Sequence, residues 1–293
     1  MIATFPKHLA TAFDEYLGLL ARERRGTLPV DLEPFEDAVW YPLVAGGKRL
    51  RPLLALSTIE ALGGDTRAAL PVAAALEWVH TFSLVHDDLP AIDDDQLRRG
   101  RPTTHVRYGE DAAVLVGDAL LNGAYGLVLD RLRCPASRRA AVLAALHAGV
   151  EGMIAGQYLD VRPPAAPDEA WLRRMSGLKT GRLILASVAT GLALVAPPAA
   201  TEEAYLAFAD ELGTGFQMVD DVLDATGTDE QLGKPAGSDA AHDKRTFVTV
   251  LGIDRARELA DDSERRCAEL LAALPGRTES LAGLAELVYA RDR

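Results

Sequence analysis

The chain has 293 residues and a net charge of −12, with 31 lysines and arginines against 43 aspartates and glutamates. No basic stripe exists to neutralise phosphates, which excludes nucleic acid as a partner. A hydrophobic content of 48% with 25% charged residues is that of an ordinary soluble globule, long enough to bury a substantial core in one domain or two.

The N-terminal stretch MIATFPKHLATAFDEYLG carries acids and lacks a sustained apolar run, so no signal peptide is expected. From there nearly every segment repeats at helical period, without a run of alternating β-branched residues. The pattern predicts helices over 7–24, 34–44, 50–62, 67–88, 110–131, 136–159, 168–176, 181–195, 201–224, 246–272 and 278–291. Proline and glycine punctuate them at Gly63-Gly64, Arg162 to Pro167, Ala196 to Pro198 and the loop from Gly227 to Lys244. None of these breaks is long enough for a flexible linker, and a single all-α domain over 1–293 is expected. The most lipid-like stretch, Leu183 to Ala200, contains Ser187, Thr190, Gly191 and a Pro197-Pro198 end, which suit a buried helix rather than a membrane span. Cys134 and Cys267 form no CxxC and read as reduced thiols of a cytoplasmic protein.

Chemistry first appears at Gly46-Gly47-Lys48-Arg49-Leu50-Arg51-Pro52. Paired glycines allow a tight turn near a ligand, and Pro52 suits a helix start. Lys48 and Arg51, three apart, can point the same way beside free N–H groups, which makes a diphosphate pocket. A basic surface turn is the plainer alternative for this motif taken alone. Further on, His80 sits seven residues before Asp87, on the same helical face, within reach of a phosphate.

An apolar run then leads into Asp87 and Asp88, Pro90 breaks the helix, and Asp93, Asp94 and Asp95 follow, with Arg98, Arg99 and Arg101 as counter-charges. Oxygen ligands without His or Cys among them suit a hard cation such as magnesium. Arg98 and Arg99 are adjacent and point different ways, so they can serve two anions or simply neutralise Asp93 to Asp95. Gln157 and Asp160 lie one turn apart, Lys179 and Thr180 open the next helix, and Gln217 precedes a second acidic cluster, Asp220, Asp221 and Asp224. Asp220 and Asp224 share a helical face and can reach one ion. Lys234 and Lys244 follow on the long loop. One DDxxD is common on solvated helices; two, each ending an apolar run and each followed by cations, point to two walls of one metal-lined cavity.

GGKRLRP, HDDLPAIDDDQLRRG, GQYLD, LKTG and FQMVDDVLD, in this order, closely resemble the trans-isoprenyl diphosphate synthases, and within them the bacterial farnesyl and geranylgeranyl diphosphate synthases. The resemblance runs from Tyr41 to Ala240. It implies an isoprenoid synthase-type helical bundle around a central cavity, usually a homodimer, that joins isopentenyl diphosphate to an allylic diphosphate. It also implies roughly three magnesium ions per active site, held by Asp87, Asp88 and Asp93 and by Asp220, Asp221 and Asp224. Gly47, Lys48, Arg51, His80 and Arg99 match the isopentenyl diphosphate site. Arg98, Lys179, Thr180, Gln217, Lys234 and Lys244 match positions around the allylic diphosphate, with Lys179, Thr180, Gln217 and Arg98 in the catalytic role. Phe82 and Ser83, five and four residues before Asp87, occupy the positions that set chain length, where an aromatic favours the fifteen-carbon product. One departure stands out: Asp243 replaces the glycine usual before Lys244, and Arg245-Thr246-Phe247 follows it. A geranylgeranyl diphosphate synthase, a non-catalytic partner subunit, and a cyclase or head-to-head enzyme of the same fold are the competing readings. GGKRLRP argues against a cyclase, which needs no second diphosphate pocket.

Overall fold

The computed structural model describes residues 5–24, 29–227 and 244–290. Helices dominate them: α1 Lys7–Arg24, α2 Glu33–Leu43, α3 Leu50–Ala61, α4 Leu70–Asp87, α5 Thr104–Tyr108, α6 Glu110–Gly126, α7 Ala136–Val161, α8 Glu169–Ser176, α9 Arg182–Val195, α10 Ala199–Thr226, α11 Phe247–Leu251, α12 Ile253–Ala273 and α13 Glu279–Tyr289. The only strands among the described residues are β1 Leu97–Arg98 and β2 Arg101–Pro102, an antiparallel hairpin that periodicity did not signal. The fold is all-α, as expected from the sequence.

At the centre lies α9, packed between α7, α3 and α10. Its sequence, RLILASVATGLALV, is apolar on nearly every side, as a helix with neighbours all round requires. Small residues set its distances. A side chain at Gly191 would collide with the Ala55 carbonyl and Thr58 on α3, and one at Gly149 would press into Ala186. The polar residues in this helix satisfy themselves locally: Ser187 Oγ donates to the Leu183 carbonyl at 2.7 Å.

Three sequence expectations needed refinement. The helix predicted over 246–272 is two helices, because Gly252 takes φ 85 between α11 and α12 and Thr246 caps the first through a capping box with Thr249. The helices predicted over 168–176 and 181–195 are one rod, joined by a π turn over Gly177–Gly181. Asp168 caps its start by accepting from Trp171 N at 2.8 Å. Finally, three helical stretches, Glu110–Arg131, Ala136–Val161 and Glu169–Val195, are long and apolar enough to cross a membrane by length and composition, where the sequence singled out one. More than half of the third is buried in the protein, whereas most of the first two is not.

Candidate active site

The first acidic cluster sits where α4 stops. Asp88 caps the helix end, and the chain folds back so that Asp93 N donates to the Asp87 carbonyl at 2.9 Å. Pro90 therefore does turn the chain and bring Asp93 back beside Asp87. Asp88, Asp93 and Asp95 meet cations from elsewhere, while Asp94 accepts from the Gln96 amide. Arg98 Nε donates to Asp88 at 2.6 Å and Arg98 Nη2 to Asp95 at 3.0 Å. Lys244 Nζ reaches Asp93 at 2.9 Å, and Lys179 pairs with Asp160 while its charge acts on Asp87 and Asp93. Burial pushes the Asp87 carboxyl up to about 6, against the pull of Lys179, and pushes Asp88 up to about 7 against Arg98.

The second cluster lies inside α10. Asp221 is buried and accepts on both oxygens: Gln217 Nε2 donates to one at 2.8 Å and the backbone N–H of Phe247 to the other at 2.8 Å. Thr180 in turn donates to Gln217 Oε1 at 2.7 Å. A hydrogen-bond chain thus runs Thr180–Gln217–Asp221–Phe247. The segment from Lys244 to Phe247 touches both clusters, Asp93 through its first residue and Asp221 through its last. Asp224 is buried, and Asp220 opens onto a separate cavity.

That cavity, about 390 Å³, collects Lys48, Arg51, His80 and Arg99 with Gly47 at its rim. Gly46 and Gly47 take φ 82 and 131, and a Cβ on Gly47 would sit 2.6 Å from the Arg99 guanidinium carbon. Arg99 hydrogen-bonds the Gly46 carbonyl, so the glycine turn and the arginine occupy one another's space. Arg98 and Arg99 diverge because they sit in the hairpin: Arg99 and Gly100 both take positive φ, 53 and 71, as a type I′ turn demands. Tyr41 fixes the hairpin by stacking between Arg101 and Arg107, each 4.4 Å from its ring, and by donating to the Pro102 carbonyl at 2.7 Å. Burial and the surrounding arginines hold His80 well below the usual histidine range, so it is a neutral hydrogen-bonding group.

Sequence reading missed Glu77 and Arg49. Glu77 is 1% exposed beneath the cationic cavity. Arg49, in the left-handed region at φ 50, donates to it at 2.5 Å and to the Leu43 carbonyl at 3.1 Å. Glu77 is the opposing charge for Arg51 and Arg99 as well. An acid in the apolar run LPVAAALEWV was the available signal.

Close approach explains GQYLD and LKTG. A side chain on Gly156 would collide with the backbone of Lys179, and one on Gly213 would meet the Gly181 Cα at 2.7 Å. The π turn carrying Lys179 and Thr180 is thus wedged between α7 and α10. Gln157 beside it has both amide atoms buried without a hydrogen-bond partner among the described residues. Phe82 is buried on the face of α4 turned to α6, edge-on to His86 with ring centres 5.1 Å apart. Ser83 donates to the His80 carbonyl at 2.9 Å. Lys234 and Asp243 lie outside the described residues.

As a donor set the clusters fit magnesium: all are carboxylates, and Asp87 and Asp88 are buried at the cost of a raised proton affinity that a divalent cation would reverse. Among the described residues no three such groups are already gathered at metal-binding distance.

Comparison with known proteins agrees with this arrangement. A family model described as polyprenyl synthetase matches residues 33–282. The farnesyl diphosphate synthase of Geobacillus stearothermophilus is 42% identical over 264 residues, 88% of each chain. A geranylgeranyl pyrophosphate synthase of Catharanthus roseus is 40% identical over 263 residues, 87% of this chain and 73% of that one. The crystal structure of a geranyltransferase from Helicobacter pylori, complexed with magnesium and isoprenyl diphosphate, superposes with a TM-score of 0.83 at 30% identity, covering 99% of this chain and 97% of that one. This chain belongs to the polyprenyl synthetase family and is a trans-prenyltransferase.

Proposed function

We propose that the enzyme condenses isopentenyl diphosphate with dimethylallyl and geranyl diphosphates and stops at farnesyl diphosphate. The observation that carries the product length is the aromatic ring of Phe82, buried on α4 one turn and a half before Asp87. Geranylgeranyl diphosphate is the competing product, since synthases of both kinds are similar to this chain.

Asp87, Asp88 and Asp93 of the first cluster and Asp220, Asp221 and Asp224 of the second would hold magnesium, the ion in the complex of the similar Helicobacter pylori enzyme; Asp221 accepts one N–H on each oxygen, and a carboxylate oxygen can take more than one partner. Magnesium supplies positive charge at the allylic diphosphate as its C–O bond ionises. Lys179, Arg98 and Lys244 add charge on the same side, now parked on Asp160, Asp88 and Asp93 and released to the diphosphate as it arrives. Lys234 belongs to this set by its place in the motif order. The carboxamide oxygen of Gln217 and the hydroxyl of Thr180 direct their dipoles at the carbocation. Lys48, Arg51, Arg99 and neutral His80 hold isopentenyl diphosphate in the other cavity, so its alkene can attack. The departing diphosphate takes the proton, and no side-chain base is required.

We read the 293 residues as one cytoplasmic domain without a membrane span. Its apolar surface serves a second copy: Val114, Leu115 and Leu129 on α6 and its extension, with Ile154, Tyr158 and Val161 on α7, are all exposed. Both cysteines are free, as a reducing compartment would leave them.

Product analysis tests the reading. With magnesium, isopentenyl diphosphate and a dimethylallyl or geranyl primer, a fifteen-carbon product is expected, and a farnesyl primer stays unextended. Phe82→Ala should shift the product to twenty carbons or more. An unchanged distribution would remove Phe82 from the floor, and no condensation with any primer would favour a cyclase or non-catalytic subunit.

A further inference from the structure

The cationic cavity has an apolar side that the functional reading leaves unused. Phe216 from α10 and Leu287 and Val288 from α13 line it opposite the arginines. The last helix of the described chain is therefore a wall of the isopentenyl pocket, and something must hold it in register with α10.

The contact that does so is specific. Tyr289, next to Val288, lies with its hydroxyl directly over Gly215, next to Phe216; any side chain on Gly215 would collide with that hydroxyl. The hydroxyl is buried and bonds Ser263 Oγ on α12 at 3.0 Å. Ser263 donates to Glu211 on α10 at 2.5 Å, and Arg266 grips the same carboxylate with two bonds of 3.2 Å. The other end of α13 is pinned too, by Ser280 on Glu60 at 2.6 Å and by the Arg277 N–H on the Ala61 carbonyl at 3.0 Å. Two fixed ends leave the pocket-facing turn no freedom to slide.

We infer that Tyr289 is a positioning residue for the isopentenyl half of the reaction: its hydroxyl, seated on Gly215, sets the spacing between α13 and α10 and so the fit of the five-carbon tail between Phe216 and Leu287. This rests on assigning the cationic cavity to isopentenyl diphosphate. Among the described residues the hydroxyl of Tyr289 bonds Ser263 and Cys267 and not the allylic-side Lys179, Thr180 or Arg98, so its effect is expected on the isopentenyl substrate first.

Two variants approach the contact from opposite sides. Tyr289→Phe removes the hydroxyl and keeps the ring; Gly215→Ala pushes the ring away and keeps the hydroxyl. Steady-state kinetics with each substrate varied in turn, isothermal titration with isopentenyl diphosphate alone, and thermal unfolding are measured on all three proteins. Both variants should raise KM and Kd for isopentenyl diphosphate, Tyr289→Phe by about 3- to 10-fold and Gly215→Ala by more, while KM for geranyl diphosphate stays put. Equal rises in both KM values, or a lower melting temperature with neither KM changed, would reduce Tyr289 to a structural residue and overturn the inference. Failure of the wild type to bind isopentenyl diphosphate would remove the pocket assignment itself and this inference with it.

Discussion

The two acidic clusters share a composition and differ in what their oxygens are doing. Asp87, Asp88 and Asp93 stand at a helix end and after it; Arg98 from the hairpin bonds Asp88, Lys244 from the segment before α11 bonds Asp93, and Lys179 acts on Asp87 by its charge. Such partners swing away when a stronger ligand arrives. Asp221 stands within α10, and a carboxamide and a backbone N–H donate to it. Cations on the first cluster must give way when a metal binds, whereas neutral N–H donors orient a carboxylate without competing for its charge.

Asp87→Asn tests the exchangeable side and carries the largest expected effect. It should lower kcat by about 10²–10³ and raise the magnesium requirement, yet leave the melting temperature unchanged or higher, because burial already disfavours that charge. Asp221→Ala is the converse. It strands Gln217 Nε2 and the Phe247 N–H and should cost about 1–3 kcal/mol of stability for each donor left without a partner, read by chemical denaturation. A loss of stability in the first variant and none in the second would reverse the comparison.

The smallest effect lies two turns up α4, at His80. Its folded pKa is depressed, by burial first and then by Arg51 and Arg99. The unfolded chain therefore binds the proton more readily, so the stability is fully present above about pH 6.5 and falls as pH drops below it, by up to about 1.4 kcal/mol per pH unit. His80→Gln should flatten that slope in denaturation curves taken between pH 7 and 5. An identical slope in the variant would mean that His80 gains its proton freely in the folded state.

Much of this was readable in the chain. Helical period located the main helices because each buries an apolar stripe, and paired aspartates at the ends of apolar runs located both clusters. The hairpin was not legible, since a type I′ turn is usually announced by Asn-Gly and here is made by Arg99-Gly100, with Arg99 forced to φ 53 by tertiary contacts at Gly46. Glu77 was legible and passed over: an acid in an apolar helix interior requires a partner, and Arg49 lies in the motif already singled out. The bond that orients Asp221 was beyond reach, because the Phe247 N–H that makes it is 26 positions away. Nor does anything local announce the π turn at Lys179, whose cause is the close approach of Gly156 and Gly213 from two other helices.

That π turn has a genetic reading. A helix closes a π turn by accommodating one residue more than the α-helical repeat needs. Removing a single codon between Gly177 and Gly181 would return this stretch to a plain α-helix and leave the two halves of the rod from Glu169 to Val195 in register, because the wide turn alone absorbs the extra residue. Lys179 and Thr180 could then no longer both face the centre. A plain helical scaffold thus lies one in-frame insertion away from a lysine aimed at its own core.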